Sequence, residues 1–169
     1  MNNKATLRVV CYPSSQHVSL LSLFKLDEEG QSRLLVTTSP IPRVAARALS
    51  QAFEGTLETQ ANLEALKKVL QIPGKTAWAS FTAFDPAKAA WKACLQHDLN
   101  CARGVLILIT FPSGPSTSND LESVLDVVLP CIPAAGSRAW VRCCEETLNE
   151  GVRVGVLLTG VGPRAYSNV

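Results

Sequence analysis

Three sets of residues are candidates for catalysis or ligand binding, and the first is Gly74-Lys75-Thr76. A phosphate-binding loop contains such a triplet, but it also needs a glycine five residues earlier and a helix that follows directly. Position 69 is Val, and the triplet precedes a predicted strand. A turn with an exposed lysine is the better interpretation, and we predict no cofactor. The glycines at 151, 155, 160 and 162 form no dinucleotide fingerprint, because no helix follows them; they indicate turns or close strand packing.

Cysteines and histidines form the second set. Cys94, His97 and Cys101 come closest to a zinc-site spacing, but they supply three ligands where a structural zinc needs four. Adjacent Cys143 and Cys144 would point about 100° apart on a helix and could not easily share one ion. No pattern marks a nucleophilic Cys–His pair among the two histidines. We therefore predict no metal and no catalytic residue, with the six cysteines as free thiols packed like small hydrophobes.

Five basic residues form the third set and the only candidate binding site. Arg43 and Arg47 lie one turn apart on a predicted helix, Lys67 and Lys68 lie near the end of the next helix, and Lys75 follows. If the two helices are neighbours, these side chains could bind the phosphates of RNA or of anionic lipid headgroups. Ordinary solvated helix faces would give the same pattern, so that alternative stays open.

Composition limits the class of protein that could carry these residues. With 169 residues, 47% of them hydrophobic and 18% charged, the chain favours one folded domain over disorder. The net charge is +2, and the positive excess lies in residues 1–103, which hold twelve Lys and Arg against eight Asp and Glu. No signal peptide or transmembrane pattern is visible, which predicts a cytoplasmic protein whose membrane contact would be peripheral.

The elements that must position these residues are organised around Gly104–Phe111, an unbroken apolar run that predicts a central strand covered on both faces. Alternation and turn residues predict further strands over 5–11, 17–26, 33–38, 76–84 and 152–159. Helical periodicity and capping residues predict helices over 43–54, 57–70, 87–97 and 119–129, and a last one between 137 and 151. We therefore predict an α+β fold: a single domain over 1–169 with a flexible tail at 164–169, and a mixed or antiparallel sheet with about five helices packed on it.

Short segments distributed along the chain carry a resemblance to a known family. They are Met1-Asn-Asn-Lys4, the hairpin Val18–Thr38 leading into Ser39-Pro-Ile-Pro42, the strand Ser80–Asp85, and Gly160-Val-Gly-Pro163. In this order they resemble the small matrix proteins of bornaviruses and related non-segmented negative-strand RNA viruses. The resemblance implies a sheet-based core, self-association into tetramers or lattices, peripheral attachment to the inner leaflet, and contact with RNA or ribonucleoprotein. The five basic residues would then face headgroups or RNA.

The prediction that follows is a non-enzymatic, self-associating protein of viral matrix type that acts in virion assembly. Its partners would be copies of itself, anionic lipid headgroups and RNA or ribonucleoprotein, with no small-molecule substrate. It would lie in the cytoplasm, at the inner face of a membrane or in a virion. A cytosolic protein-interaction or inhibitor module with one protein partner is the alternative, and a small enzyme with an unrecognised site is the third.

Overall fold

The computed structural model describes residues 4–10, 17–27, 30–54, 60–113, 118–145, 147–148 and 150–162. The strands are β1 (Lys4–Val10), β2 (His17–Asp27), β3 (Gly30–Pro42), β4 (Gln60–Ala61), β5 (Lys75–Ala83), β6 (Gly104–Pro112), β7 (Ser137–Glu145) and β8 (Val152–Val161). The helices are α1 (Arg43–Glu54), α2 (Leu63–Leu70), α3 (Pro86–Cys94) and α4 (Ser118–Val128), with short 3₁₀ turns at Leu99–Cys101 and Leu129–Cys131.

These strands form two sheets. The first contains β1, β2 and β3 as an antiparallel meander, which includes the predicted hairpin. The second is mixed and has the order β4-β7-β6-β8-β5, with β6 in the centre, parallel to β7 and antiparallel to β8. A parallel pair needs a long crossover connection, and the segment containing α4 supplies it between β6 and β7.

Helices cover both faces of the larger sheet. Successive side chains of a strand point to opposite faces. Leu106 and Leu108 of β6 accordingly join the core beneath α1 and α2. Val105, Ile107 and Ile109 join the core beneath α3 and α4. The predicted central strand, the mixed sheet and the α+β class are thus confirmed.

The smaller sheet is connected to helix α1 and shares a core with it. β3 runs directly into α1, and Val18 and Ile41 lie in the core beneath that helix. The hydroxyl of Thr76 donates a hydrogen bond of 2.6 Å to the carbonyl oxygen of Pro40, which ties the start of β5 to the end of β3. Cys11 and the predicted tail at 164–169 lie outside the described residues, and the extent of the domain over 1–169 stays a prediction.

The helix predicted between 137 and 151 is wrong, because most of this segment is strand β7. Ala139, Val141 and Cys143 point to one core, whereas Trp140 and Cys144 pack against the other. The segment therefore has a period of two. Its apolar residues also fit helical spacing, and pairing with the buried strand β6 decides between the two patterns. The described residues contain four α-helices instead of the five predicted.

Helix α2 begins later than predicted. Its first residue is Leu63, because the side-chain oxygen of Asn62 caps the helix by accepting a hydrogen bond of 3.1 Å from the Ala65 amide. The preceding Gln60–Ala61 pairs with β7 as a short strand. Residues 57–59 of the predicted helix lie outside the described residues.

Candidate functional site

A cavity of about 410 Å³ lies between α1 and the face of the larger sheet. Side chains of β5, β6, β7 and β8 form its floor, and α1 forms one wall. A volume of this size is typical of sites that hold a small organic molecule. The cavity is therefore the first candidate site.

The floor of the cavity combines an aromatic ring with a glycine. A Cβ atom on Gly155 would approach Cζ2 of Trp78 to 2.7 Å, so only a glycine lets the indole pack directly on β8. Trp78 packs against the core and also lines the cavity. The floor therefore offers an aromatic surface whose position depends on one residue of the neighbouring strand.

Two buried polar groups lie beside this aromatic surface. The Thr110 hydroxyl and the Cys143 thiol are 3.5 Å apart, and both side chains are buried. Burial raises the pKa of the Cys143 thiol above its ordinary value. The thiol is therefore neutral near pH 7, which suits packing and weak hydrogen bonding more than nucleophilic attack.

Charged side chains surround the opening. Arg153 Nη1 lies 2.8 Å from Glu145 Oε2, and the Thr147 hydroxyl donates to the other carboxylate oxygen of Glu145. Arg47 and Gln51 extend from α1 into the lining. Because Glu145 offsets the charge of Arg153, the Arg47 guanidinium leaves the opening with a net positive charge.

The structure brings only one of the five predicted basic residues into this site. Arg43 and Arg47 are exposed on α1, and Arg47 lines the cavity. Lys67 and Lys68 lie on α2 over the same sheet face, and Lys75 is the exposed first residue of β5. These three lysines and Arg43 are not lining residues. The role of the five residues in binding phosphate stays a prediction.

The sequence analysis did not identify most of the residues that line the cavity. Trp78, Glu145, Arg153 and Gly155 come from three strands, and no motif joins them. Glu145 falls in the segment predicted as a helix. The alternation of side chains along β8 could have identified two of these residues, because it places Arg153 and Gly155 on the same face of the sheet.

The triplet Gly74-Lys75-Thr76 opens β5 instead of a helix. Gly74 has a φ of +121°, a backbone conformation that side chains rarely allow. The triplet is thus a turn into a strand, in agreement with its interpretation from sequence.

The Cys94–His97–Cys101 spacing has a structural explanation. Burial, with a smaller contribution from Cys131, raises the pKa of the Cys94 thiol to about 11. His97 Nε2 lies 3.0 Å from the carbonyl oxygen of Trp78, and the side-chain amide of Gln96 donates a hydrogen bond of 3.4 Å to the carbonyl oxygen of Ser80.

The five cysteines that the structure describes are free thiols. Within the same residues, no cluster of three or more His, Cys, Asp or Glu could hold a metal ion.

Helix α3 presents a second candidate surface, on the opposite side of the sheet. Trp91 and Leu95 are 52% and 60% exposed, and Phe84, just before the helix, is 78% exposed. We call these three residues the α3 stripe. Large apolar side chains that are exposed close together often mark a binding surface. No described helix is long and apolar enough to span a membrane.

Comparison with known proteins finds similarity of fold only. An FtsZ mutant from M. jannaschii aligns with a TM-score of 0.56 and 21% identity, over 70% of this chain and 40% of FtsZ. The FtsZ dimer of the same organism, in its empty form, aligns with a TM-score of 0.57 and 20% identity, over 70% and 38%. The GDP-form protofilament of TubZ from Bacillus thuringiensis has a TM-score of 0.46 and 12% identity, over 59% and 29%. No protein-family profile and no curated protein matches the sequence.

These comparisons correct the predictions about family and function. The resemblance to bornavirus matrix proteins is wrong, and so are the matrix function and the virion-assembly role, because the matching folds are those of FtsZ. The prediction of a non-enzymatic protein is contradicted too, since FtsZ is a tubulin-like GTPase. Lipid and RNA partners, and a place at a membrane or in a virion, have no support. The chain spans about two fifths of the FtsZ structures that it matches.

Proposed function

We propose that this protein self-associates into a homo-oligomer. The proposal rests on the α3 stripe, three large apolar side chains on α3 or next to its ends that are at least half exposed. Aromatic and apolar side chains of this kind form the centres of protein interfaces. One of the FtsZ structures of similar fold is a dimer, which supports the same function.

The energy available from the α3 stripe suits a reversible assembly. Full burial of a large apolar side chain contributes about 1.5–3 kcal/mol. Because Phe84, Trp91 and Leu95 are already partly covered, each would contribute about 1–2 kcal/mol in an interface. Association also costs translational and rotational freedom. The stripe alone thus favours an oligomer whose population depends on concentration.

Sedimentation equilibrium of the whole chain over a wide range of concentrations tests the proposal. The expected result is an apparent mass that rises with concentration from 18.1 kDa towards a multiple of it. A mass of one chain at every concentration would overturn the proposal.

The cavity favours a second function, and we propose that it binds a small molecule with a flat apolar ring and one anionic group. Trp78 and Leu108 provide apolar contact on the floor, Thr110 provides a buried hydroxyl, and Arg47 provides a positive charge at the opening. A pocket with mostly apolar walls and a few polar groups that orient the ligand is typical of small-molecule sites.

Naphthalene-2-sulfonate is a suitable probe because it combines a flat ring with one negative charge. In an NMR titration, the indole N–H signal of Trp78 should shift, while those of Trp91 and Trp140 should not. Arg47→Gln should weaken binding about three- to tenfold, because it removes a charge-assisted contact. Arg43→Gln is the control, since Arg43 lies one turn away on α1 and does not line the cavity. No shift of Trp78, or equal losses in the two variants, would exclude this site.

A further inference from the structure

Helices α3 and α4 lie side by side and carry opposite charges. Alanines 89, 90 and 93 of α3 are buried in the core that both helices share, so the helices approach closely. The exposed charges of α3 are Lys88 and Lys92, and those of α4 are Glu122 and Asp126. α3 contains no acidic residue, and α4 contains no basic one. One side of this surface is thus basic and the adjacent side is acidic.

These charges are available for a partner. Among the residues that the structure describes, none of Lys88, Lys92, Glu122 and Asp126 takes part in an ion pair. The α3 stripe adds apolar contact on the basic side, with Trp91 on α3 and Leu95, the residue that ends the helix, one turn apart.

We propose that a second copy of this chain docks on this surface by two-fold symmetry, with α3 of each copy against α4 of the other. The inference rests on the self-association proposed above and identifies the surface that performs it. In a two-fold interface the same patch meets itself, so every contact occurs twice. A patch with a basic half and an acidic half is complementary to itself in this arrangement. Placing α3 on α3 would instead bring lysines of both copies together, which is unfavourable.

The area of the surface is consistent with such a dimer. An aromatic side chain has about 150–250 Å² to bury. With Phe84 78% and Trp91 52% exposed, the two rings supply roughly 250 Å². This is about a third of the ~800 Å² that each partner buries in a stable interface of standard size. The remaining area would come from Leu95 and from the polar faces of the two helices.

Two charge-reversal variants test the arrangement. Lys88→Glu with Lys92→Glu makes the whole surface acidic, and Glu122→Lys with Asp126→Lys makes it basic. All four side chains are exposed, so the fold should persist, and circular dichroism checks that it does. Sedimentation equilibrium then measures association of each variant alone and of an equimolar mixture. Arg43→Glu with Lys68→Glu is the matched control, because it reverses two exposed charges on the other face of the sheet.

The expected result is at least about tenfold weaker self-association for each variant alone, and recovery of a dimer in the mixture, where α3 and α4 again carry opposite charges. The control variant should associate like the unmodified chain. A dimer that neither variant weakens would overturn this surface while the proposed self-association stands. Weakening in both variants without recovery in the mixture would overturn the α3-on-α4 arrangement. A monomeric unmodified chain would overturn both proposals.

A variant that removes apolar contact provides an independent measurement. Trp91→Ser with Leu95→Ser should weaken the dimer at least about tenfold, since two exposed anchors lose their burial on association. Val44→Ser is its control, because Val44 is 66% exposed on α1, away from this surface. Equal association of the unmodified chain and the Trp91/Leu95 variant would contradict the proposed interface.

Discussion

The two faces of the larger sheet are covered by helices in different ways. On one face, Ala89, Ala90 and Ala93 let α3 lie close to the sheet, and the larger residues of that helix point outward. On the other face, α1 leaves a cavity above Trp78 and Gly155. Small residues on the inner face of a helix thus let it pack closely on the sheet and leave its large residues exposed. A glycine in the sheet instead lets the Trp78 indole lie against β8 and leaves a cavity beneath the helix.

A larger residue at Gly155 should have the greatest effect on this difference. Gly155→Leu would place side-chain atoms where the Trp78 indole lies, and the ring would have to leave β8. Overpacking of this kind should lower the free energy of unfolding by about 3 kcal/mol. Urea denaturation measures it. Gly162→Ala is the control, since a Cβ there meets only the Cys101 carbonyl oxygen at 3.9 Å; equal effects would show that the indole is not fixed by this contact.

Replacing one alanine on each face of the sheet by leucine compares how tightly the two faces are packed. Ala90→Leu adds atoms to the closed face, where Ala90 is fully buried, and should lower the free energy of unfolding by about 2 kcal/mol. Ala48→Leu adds the same atoms beside the cavity and should change it by less than about 0.5 kcal/mol. Thermal or urea unfolding compares the two variants. A similar loss in both would mean that the faces do not differ in packing.

The raised pKa of Cys94 predicts a dependence of stability on alkaline pH. The thiol loses its proton near pH 9 in the unfolded chain and only near pH 11 in the folded one, because burial opposes its charge. Its contribution is therefore complete below about pH 9 and is lost as the pH rises towards about 11, up to roughly 2 kcal/mol. Unfolding of the unmodified chain and of Cys94→Ala should differ in slope over this range. Parallel curves would contradict the assignment.

Only a small effect is expected for the ion pair at the cavity opening. Glu145→Gln should lower the free energy of unfolding by only about 0.5 kcal/mol, because the two side chains are 34% and 40% exposed and water screens their charges. The same variant frees Arg153, so it should strengthen binding of naphthalene-2-sulfonate. Weaker binding would show that Glu145 orients the ligand instead of competing with it.

The sequence predicted well those elements whose signals are local. The buried strand β6 was evident because Gly104–Phe111 is a long apolar run between turn residues, and α3 follows the cap provided by Asp85 and Pro86. It failed for β7, where Val141 belongs to both a helical and an alternating pattern. Pairing with β6 decides between those patterns, and this pairing is a tertiary contact that the local sequence of β7 does not show.

The candidate sites were less predictable for the same reason. The cavity requires β5, β8 and β6 to be neighbours, and one sequence does not specify that order. Arg47 was identified by its charge. Trp78 and Gly155 were not identified, because their role depends on the contact between them, which only the folded sheet creates. The exposure of Trp91 could not be predicted either, because it follows from the burial of three alanines on the inner face of α3.

The side chains of His97 and Gln96 both contact the backbone of β5. β5 is an edge strand, and an exposed edge invites strands of other molecules to add to the sheet. The carbonyl oxygens of Trp78 and Ser80 are already engaged by these two side chains. At the other edge, the short strand β4 pairs with part of β7. The contacts of His97 and Gln96 therefore hinder the addition of a further strand along β5, and an association through helices can stop at a closed pair.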